Sequence, residues 1–126
     1  MTLLVNATIQ AAESYVRNVR YALEFLVQQD AATANAPYAA LYARLREARD
    51  LLRWNPTSGG PARFLLAQSG WGRAMAARAK VLAAAHGVPE LPELVVKPYV
   101  LLFAHSAERV VLLALKHERQ LIFQLA

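Results

Sequence analysis

The hydrophobic pattern of this chain changes period once, and that change limits the folds open to it. Before Trp54 the apolar residues recur every three or four positions, and after Pro89 they come in short unbroken runs. A period near 3.6 puts one apolar stripe on a helix. A short run rich in β-branched and aromatic residues fits a strand covered, at least in part, on both faces. Helices first and strands last make an α+β plan.

The first stripe, Ala12, Tyr15, Val16, Val19, Leu23, Leu26 and Val27, predicts a helix to about Gln29 with Asn6 or Thr8 as its cap. The second, Tyr38, Leu41, Leu45, Ala48 and Leu52, predicts a helix with Asn35 able to cap it and Pro37 in its first turn. That helix should end near Trp54, because Asn55 precedes Pro56 and resists helical dihedrals. A short connection makes the two an antiparallel α-hairpin. Residues 2–6 read as a short opening strand. Asn55-Pro-Thr-Ser-Gly-Gly-Pro61 is the strongest turn cluster, followed by an Ala-rich helix from Trp71 to His86 with Gly87 at the left-handed cap. The strand candidates are Leu94-Val-Val96, Tyr99 to Ala104 and Arg109 to Leu115, with a hairpin turn at His105-Ser-Ala-Glu108 and a final short strand at Leu121 to Leu125.

A length of 126 residues supports one domain, 1–126, and excludes an enzyme with separate cofactor and substrate modules. With no Cys there is no thiolate zinc site, no redox pair and no Cys nucleophile. His86, His105 and His117 are spaced with no metal-site pattern, and nothing calls for a cofactor. The N-terminus lacks a signal-peptide pattern, and runs such as Val110 to Leu115 fall short of the roughly 18 residues of a membrane span. A cytoplasmic protein is the expectation.

The order of these parts carries a resemblance. A strand, two amphipathic helices, a turn Asn55-Pro56-x-x-Gly59-x-Pro61-x-Arg63, and strands ending in His117-Glu118-Arg119-Gln120 resemble the RelE/ParE superfamily of bacterial type II toxins. Most of the likeness lies in Lys97-Pro-Tyr99-Val-Leu-Leu-Phe103 through Val110-Val-Leu-Leu-Ala-Leu-Lys-His117: an aromatic-flanked strand, a tight turn, a second apolar strand and a His/Arg end. It spans about residues 3–64 and 91–123, whereas about 65–88 depart from the family pattern as an inserted helix. The resemblance implies a small antiparallel sheet with the hairpin packed across it. It also implies a cognate antitoxin whose C-terminal segment wraps the toxin in a hetero-oligomer. ParE-like members inhibit DNA gyrase, and RelE-like members cut messenger RNA on the ribosome.

Cleaving RNA through its 2′-hydroxyl needs a base, an acid and cations for the phosphate. His117, Arg119, Glu93, Lys97 and Arg63 are the candidates. If the last strand stays extended, His117 and Arg119 share one face, with Lys116 and Glu118 on the other. The ordinary reading of such a pair is a solvated strand end. RNA-cleaving relatives commonly place a Tyr or another basic residue soon after this His, but here the chain continues Gln120-Leu121-Ile122-Phe123. Phe123 can stack on a base yet cannot transfer a proton. The balance favours a ParE-like toxin that arrests growth by binding DNA gyrase. A ribosome-dependent endoribonuclease is the alternative, and a non-toxin α+β interaction module stands behind both.

The net charge of +5 lies wholly in Leu51 to Pro89, which holds Arg53, Arg63, Arg73, Arg78 and Lys80 and no acid. It can be read as a docking face for antitoxin or target, as plain solvated surface, or as a nucleic-acid footprint. The cations are sparsely spaced with few aromatics such as Trp71 among them, a weak pattern for base stacking.

Overall fold

In a computed structural model, which describes residues 6–29, 35–61, 70–87, 91–120 and 123–125, helices cover both faces of one sheet. The order is β1 (Thr8–Ala11), α1 (Glu13–Gln29), α2 (Asn35–Trp54), β2 (Gly60–Pro61), α3 (Gly70–Ala85), β3 (Pro92–Val96), β4 (Tyr99–His105) and β5 (Arg109–His117). This is the α+β arrangement expected: a first strand, a helical hairpin, an inserted helix and a C-terminal meander. The strands lie in the order β1-β5-β4-β3-β2. β2 through β5 pair antiparallel in space, and β1 runs parallel to β5, so the sheet is mixed.

Two cores explain the unbroken apolar runs. On one face, Leu23 of α1 and Leu41, Leu45, Ala48 and Leu52 of α2 pack with Leu101, Phe103, Val110, Leu112 and Leu115. On the other, Met75, Ala76, Ala79 and Ala83 of α3, with Phe123 and Leu125, pack with Val100, Leu102, Ala104, Val111, Leu113 and Ala114. Every residue from Val110 to Leu115 is at most 5% exposed. Alternation disappears because each face has its own helical cover, and burying a Leu or Phe is worth roughly 1.5–3 kcal/mol. The inserted helix is therefore the second cover. Small Ala side chains let it sit close to the sheet.

A bulge then aims the end of β5. Leu102 pairs with Ala114 but Phe103 pairs with Leu112, so Leu113 is the extra residue. β1 stops at the Ala11–Leu112 pair, leaving the rest of that edge of β5 without a strand. Side chains take its place. Ser14 Oγ donates to the Leu113 carbonyl at 2.5 Å, the Leu115 N–H donates to Asn18 Oδ1 at 2.9 Å, and the His117 N–H donates to Gln120 Oε1 at 2.8 Å. The first two satisfy edge groups that would otherwise be buried unpaired.

Four expectations need correction. The opening strand lies at Thr8–Ala11; residues 2–5 are outside the described residues and Asn6 is not in a strand. Consequently neither Asn6 nor Thr8 caps α1. The Thr8 N–H donates to the Glu108 carbonyl at 2.9 Å and the Ala12 N–H to the Leu112 carbonyl at 2.8 Å, so the ladder with β5 holds the chain extended up to Glu13. Within the first stripe, Val16 and Val27 stay largely exposed, because the contact with α2 and the sheet is narrower than the stripe. The final strand does not form at Phe123–Leu125, while 121 and 122 lie outside the described residues. There the carbonyls of Gln124 and Leu125 accept from Asn18 Nδ2 at 3.1 Å and Arg78 Nε at 3.0 Å. Side-chain donors have replaced a strand partner.

The turn after α2 and the Gly87 cap formed as expected, while Gly60–Pro61 at the end of the turn cluster pair with β3 as β2. α2 ends at Trp54, and the Ser58 N–H closes back on the Asn55 carbonyl at 3.1 Å. Gly87 has φ 69° at the end of α3, a left-handed cap that favours glycine. Arg109 Nη1 donates to the His86 carbonyl there at 2.8 Å, placing a cation at the negative end of the helix. A two-residue turn with a cis Lys97–Pro98 bond joins β3 to β4, and Arg44 Nη1 of α2 donates to the Lys97 carbonyl. No helix among the described residues is long and apolar enough to cross a membrane.

Candidate functional site

A cavity of about 980 Å³ opens where α1 crosses the end of β5. Arg17, Tyr21 and Phe25 stand four residues apart on α1 and form one wall. Tyr99 from β4 with Lys116 and His117 from β5 form the opposite wall. Arg119, Gln120 and Gln124 from the C-terminal segment complete it. Asn18 lies between the walls and is only 9% exposed, with both ends of its amide bonded to the main chain. No carboxylate lines the cavity among the described residues.

His117 is held on two sides. Its ring meets Tyr99 edge-on with centroids 5.6 Å apart, a cross-strand aromatic pair. Its Nδ1 accepts the Arg119 N–H at 3.1 Å. A backbone N–H can only donate, so Nδ1 supplies a lone pair and the neutral ring carries its proton on Nε2. The free nitrogen thus offers a donor and no lone pair. The strand ends at His117, and residues 118–119 turn: Glu118 N–H donates to the Pro98 carbonyl at 2.8 Å and Gln120 N–H to the His117 carbonyl at 2.9 Å. The extended geometry that would put His117 and Arg119 on one strand face is absent, but the turn still brings both to the same cavity.

Lys116 reaches the cavity as well. Its Nζ donates to the Gln120 carbonyl at 2.9 Å and sits 5.4 Å from the centroid of the Phe123 ring. Burial lowers its pKa below the ordinary lysine value, opposed by the charges of Glu93 and Glu118. Burial likewise raises that of Tyr99. Phe123 is fully buried beneath Lys116 and has no face left for a nucleobase.

Among the other candidates, Glu93 belongs to β3 and Lys97 to the β3–β4 turn, and neither lines the cavity; Arg63 lies outside the described residues. The acid-free stretch does not gather into one patch. Arg53 sits in the last turn of α2, whereas Arg73, Arg78 and Lys80 are on α3, across the sheet. Arg73 and Lys80, seven residues apart, flank one side of α3. Arg78 flanks the other and donates to the Leu125 carbonyl. Among the described residues no group of three or more His, Asp or Glu converges as a metal site.

Sequence reasoning passed over Arg17, Tyr21, Phe25 and Lys116. The first three carried a readable signal: a cationic and two aromatic residues at i, i+4 and i+8, off the core stripe of the first helix. Lys116 carried none, because its place depends on the bulge. Compared with protein-family models and with curated proteins, the sequence matches none.

Proposed function

We infer that this chain is the toxin component of a bacterial type II toxin–antitoxin module of the RelE/ParE kind, acting in the cytoplasm by binding DNA gyrase and held inactive in a hetero-oligomer with a cognate antitoxin. The family reading rests on the resemblance of the C-terminal segment Lys97 to His117. One observation carries the preference for binding over cleavage. The His117 lone pair is spent on the Arg119 N–H, and no carboxylate lines the cavity among the described residues, so neither the imidazole nor an acidic residue can take a proton from a 2′-hydroxyl there.

A second reading, a ribosome-dependent endoribonuclease, is favoured by Lys116. Its pKa is lowered by burial, and it lines the same cavity as His117, Arg17 and Arg119. An amine as base, an imidazole as acid and two guanidiniums for the phosphate would suffice. The cation clusters on α3, Arg73 with Lys80, remain candidate contacts for the antitoxin or target.

Inducible expression in a bacterium tests the shared part of both readings. Growth should stop on induction and recover when an antitoxin encoded beside this chain is supplied. Unimpaired growth with soluble protein accumulating would leave only an interaction module outside any toxin system.

A further inference from the structure

We propose that the cavity between α1 and the end of β5 is a binding site for a nucleoside phosphate, with the base against Tyr21 and Phe25 and the phosphate held by Arg17, Arg119 and Lys116. This goes beyond gyrase binding, which needs no nucleotide, and stands or falls separately from it.

Three observations converge on that ligand chemistry. First, the cavity lining is cationic: Arg17, Lys116 and Arg119 line it and no carboxylate does among the described residues, Glu93 and Glu118 acting on Lys116 from outside the lining. A cationic lining of this kind in a concave site selects an anion. Guanidinium groups favour phosphate oxygens because their paired N–H groups match them. Second, Tyr21 and Phe25 are 60% and 58% exposed on one helix face, four residues apart, where they add nothing to either core. Aromatic rings left in solvent beside cations are the pattern that stacks a base while its phosphate is neutralised. Third, the donors are fixed in advance. The Nε2–H of His117 is set by the bond from Arg119 N–H to Nδ1, and Lys116 Nζ is tethered to the Gln120 carbonyl above Phe123. A cavity of about 980 Å³ is large enough for a nucleotide. A simple inorganic anion would leave the aromatic wall unused, and an apolar ligand would leave the cations unpaired.

The nucleotide could be free or one unit of a single strand, and titration of the full chain separates the two. Adenosine monophosphate, inorganic phosphate and a short single-stranded oligonucleotide would each be titrated by calorimetry, with amide NMR shifts locating the site. Monophosphate binding is expected at roughly millimolar Kd or tighter. It should weaken with added salt and shift the amides of His117 to Gln120. Inorganic phosphate should bind at least about tenfold more weakly for want of stacking. Tyr21→Ala and Arg17→Gln should each weaken the monophosphate about tenfold, whereas Arg46→Gln, which removes the same charge outside the cavity, should not. A mononucleotide that binds as tightly as the oligonucleotide identifies a free nucleotide as ligand; an oligonucleotide at least about tenfold tighter identifies a unit of a strand. The proposal is overturned if neither nucleotide binds, if phosphate alone binds as well as the monophosphate, or if Tyr21→Ala and Arg17→Gln leave binding unchanged. Gyrase inhibition measured on Tyr21→Ala reports separately on the toxin reading.

Discussion

Replacing Asn18 with Ala tests how the end of β5 is held. Asn18 is buried on α1, accepts from the Leu115 N–H at 2.9 Å and donates to the Gln124 carbonyl at 3.1 Å. Leu115 is itself 5% exposed, and β1 no longer runs beside it, so no strand replaces the lost acceptor. A net hydrogen bond is worth about 1 kcal/mol and a stranded buried N–H costs about 1–3 kcal/mol, which gives an expected loss of about 2–4 kcal/mol. That is a large share of the roughly 5–15 kcal/mol that holds a domain together. Urea unfolding should show the loss as a lower midpoint at unchanged slope. Native-state hydrogen exchange should show the Leu115 amide losing protection more than the amide of Leu102, in the same sheet but outside this contact. Asn18→Asp keeps the acceptor but turns a carboxylate oxygen towards the Gln124 carbonyl, so it should restore Leu115 protection in part and leave the tail loosened. If Asn18→Ala stays within about 0.5 kcal/mol of the parent and Leu115 exchange is unchanged, the substitute-strand reasoning is wrong.

Other consequences are as specific. A Cβ on Gly59 would lie 2.7 Å from two atoms of the Phe103 ring and 2.8 Å from the Glu93 carbonyl, whereas one on Gly60 would meet nothing within 4 Å. Gly59→Ala should therefore cost about 1–3 kcal/mol in urea unfolding and Gly60→Ala close to none, and equal effects would contradict the packing described. Ala79 is fully buried where α3 meets the sheet, so Ala79→Leu should cost about 1–3 kcal/mol by overpacking, while a near-neutral result would mean that α3 does not cover that face. The pKa of Lys116 is lowered from 10.5, so the folded state binds fewer protons than the unfolded chain in the window just below 10.5, and the lysine's unfavourable contribution should fade as pH rises through it. Tyr15 and Tyr99 are raised from 10.0 and act in the opposite sense: the unfolded chain releases those protons first, so stability should fall as pH rises above 10.0. Comparing the parent with Lys116→Met across alkaline pH isolates the lysine part, and identical profiles would contradict it.

The sequence made the elements legible where one physical effect dominated. The stripe Leu41, Leu45, Ala48 and Leu52 had to bury one face of a helix, and all four lie in the core. The apolar runs of β4 and β5 had to be covered on both sides, and they are, by the hairpin and by α3, whereas in β3 Val95 stays 57% exposed. What stayed hidden depends on pairing between distant residues. Thr8–Ala11 is unremarkable by itself and becomes a strand because β5 offers an unpaired edge. The stagger at Leu113 follows from the fit of β5 against β4 and leaves no mark in composition, yet it settles where Lys116 and His117 stand. The candidate site was half legible for that reason. His117 and Arg119 could be named from the strand end, but Arg17 and Tyr21 join them only once α1 is laid across it.

The most direct test of target binding without cleavage uses purified protein and His117→Ala in two assays run side by side: supercoiling by DNA gyrase and cleavage of ribosome-bound messenger RNA. The parent protein should block supercoiling and leave the messenger intact, and the variant, still folded, should leave it equally intact. Cleavage by the parent that disappears with His117→Ala, alongside unaffected supercoiling, would contradict that reading and make the cavity a ribonuclease site.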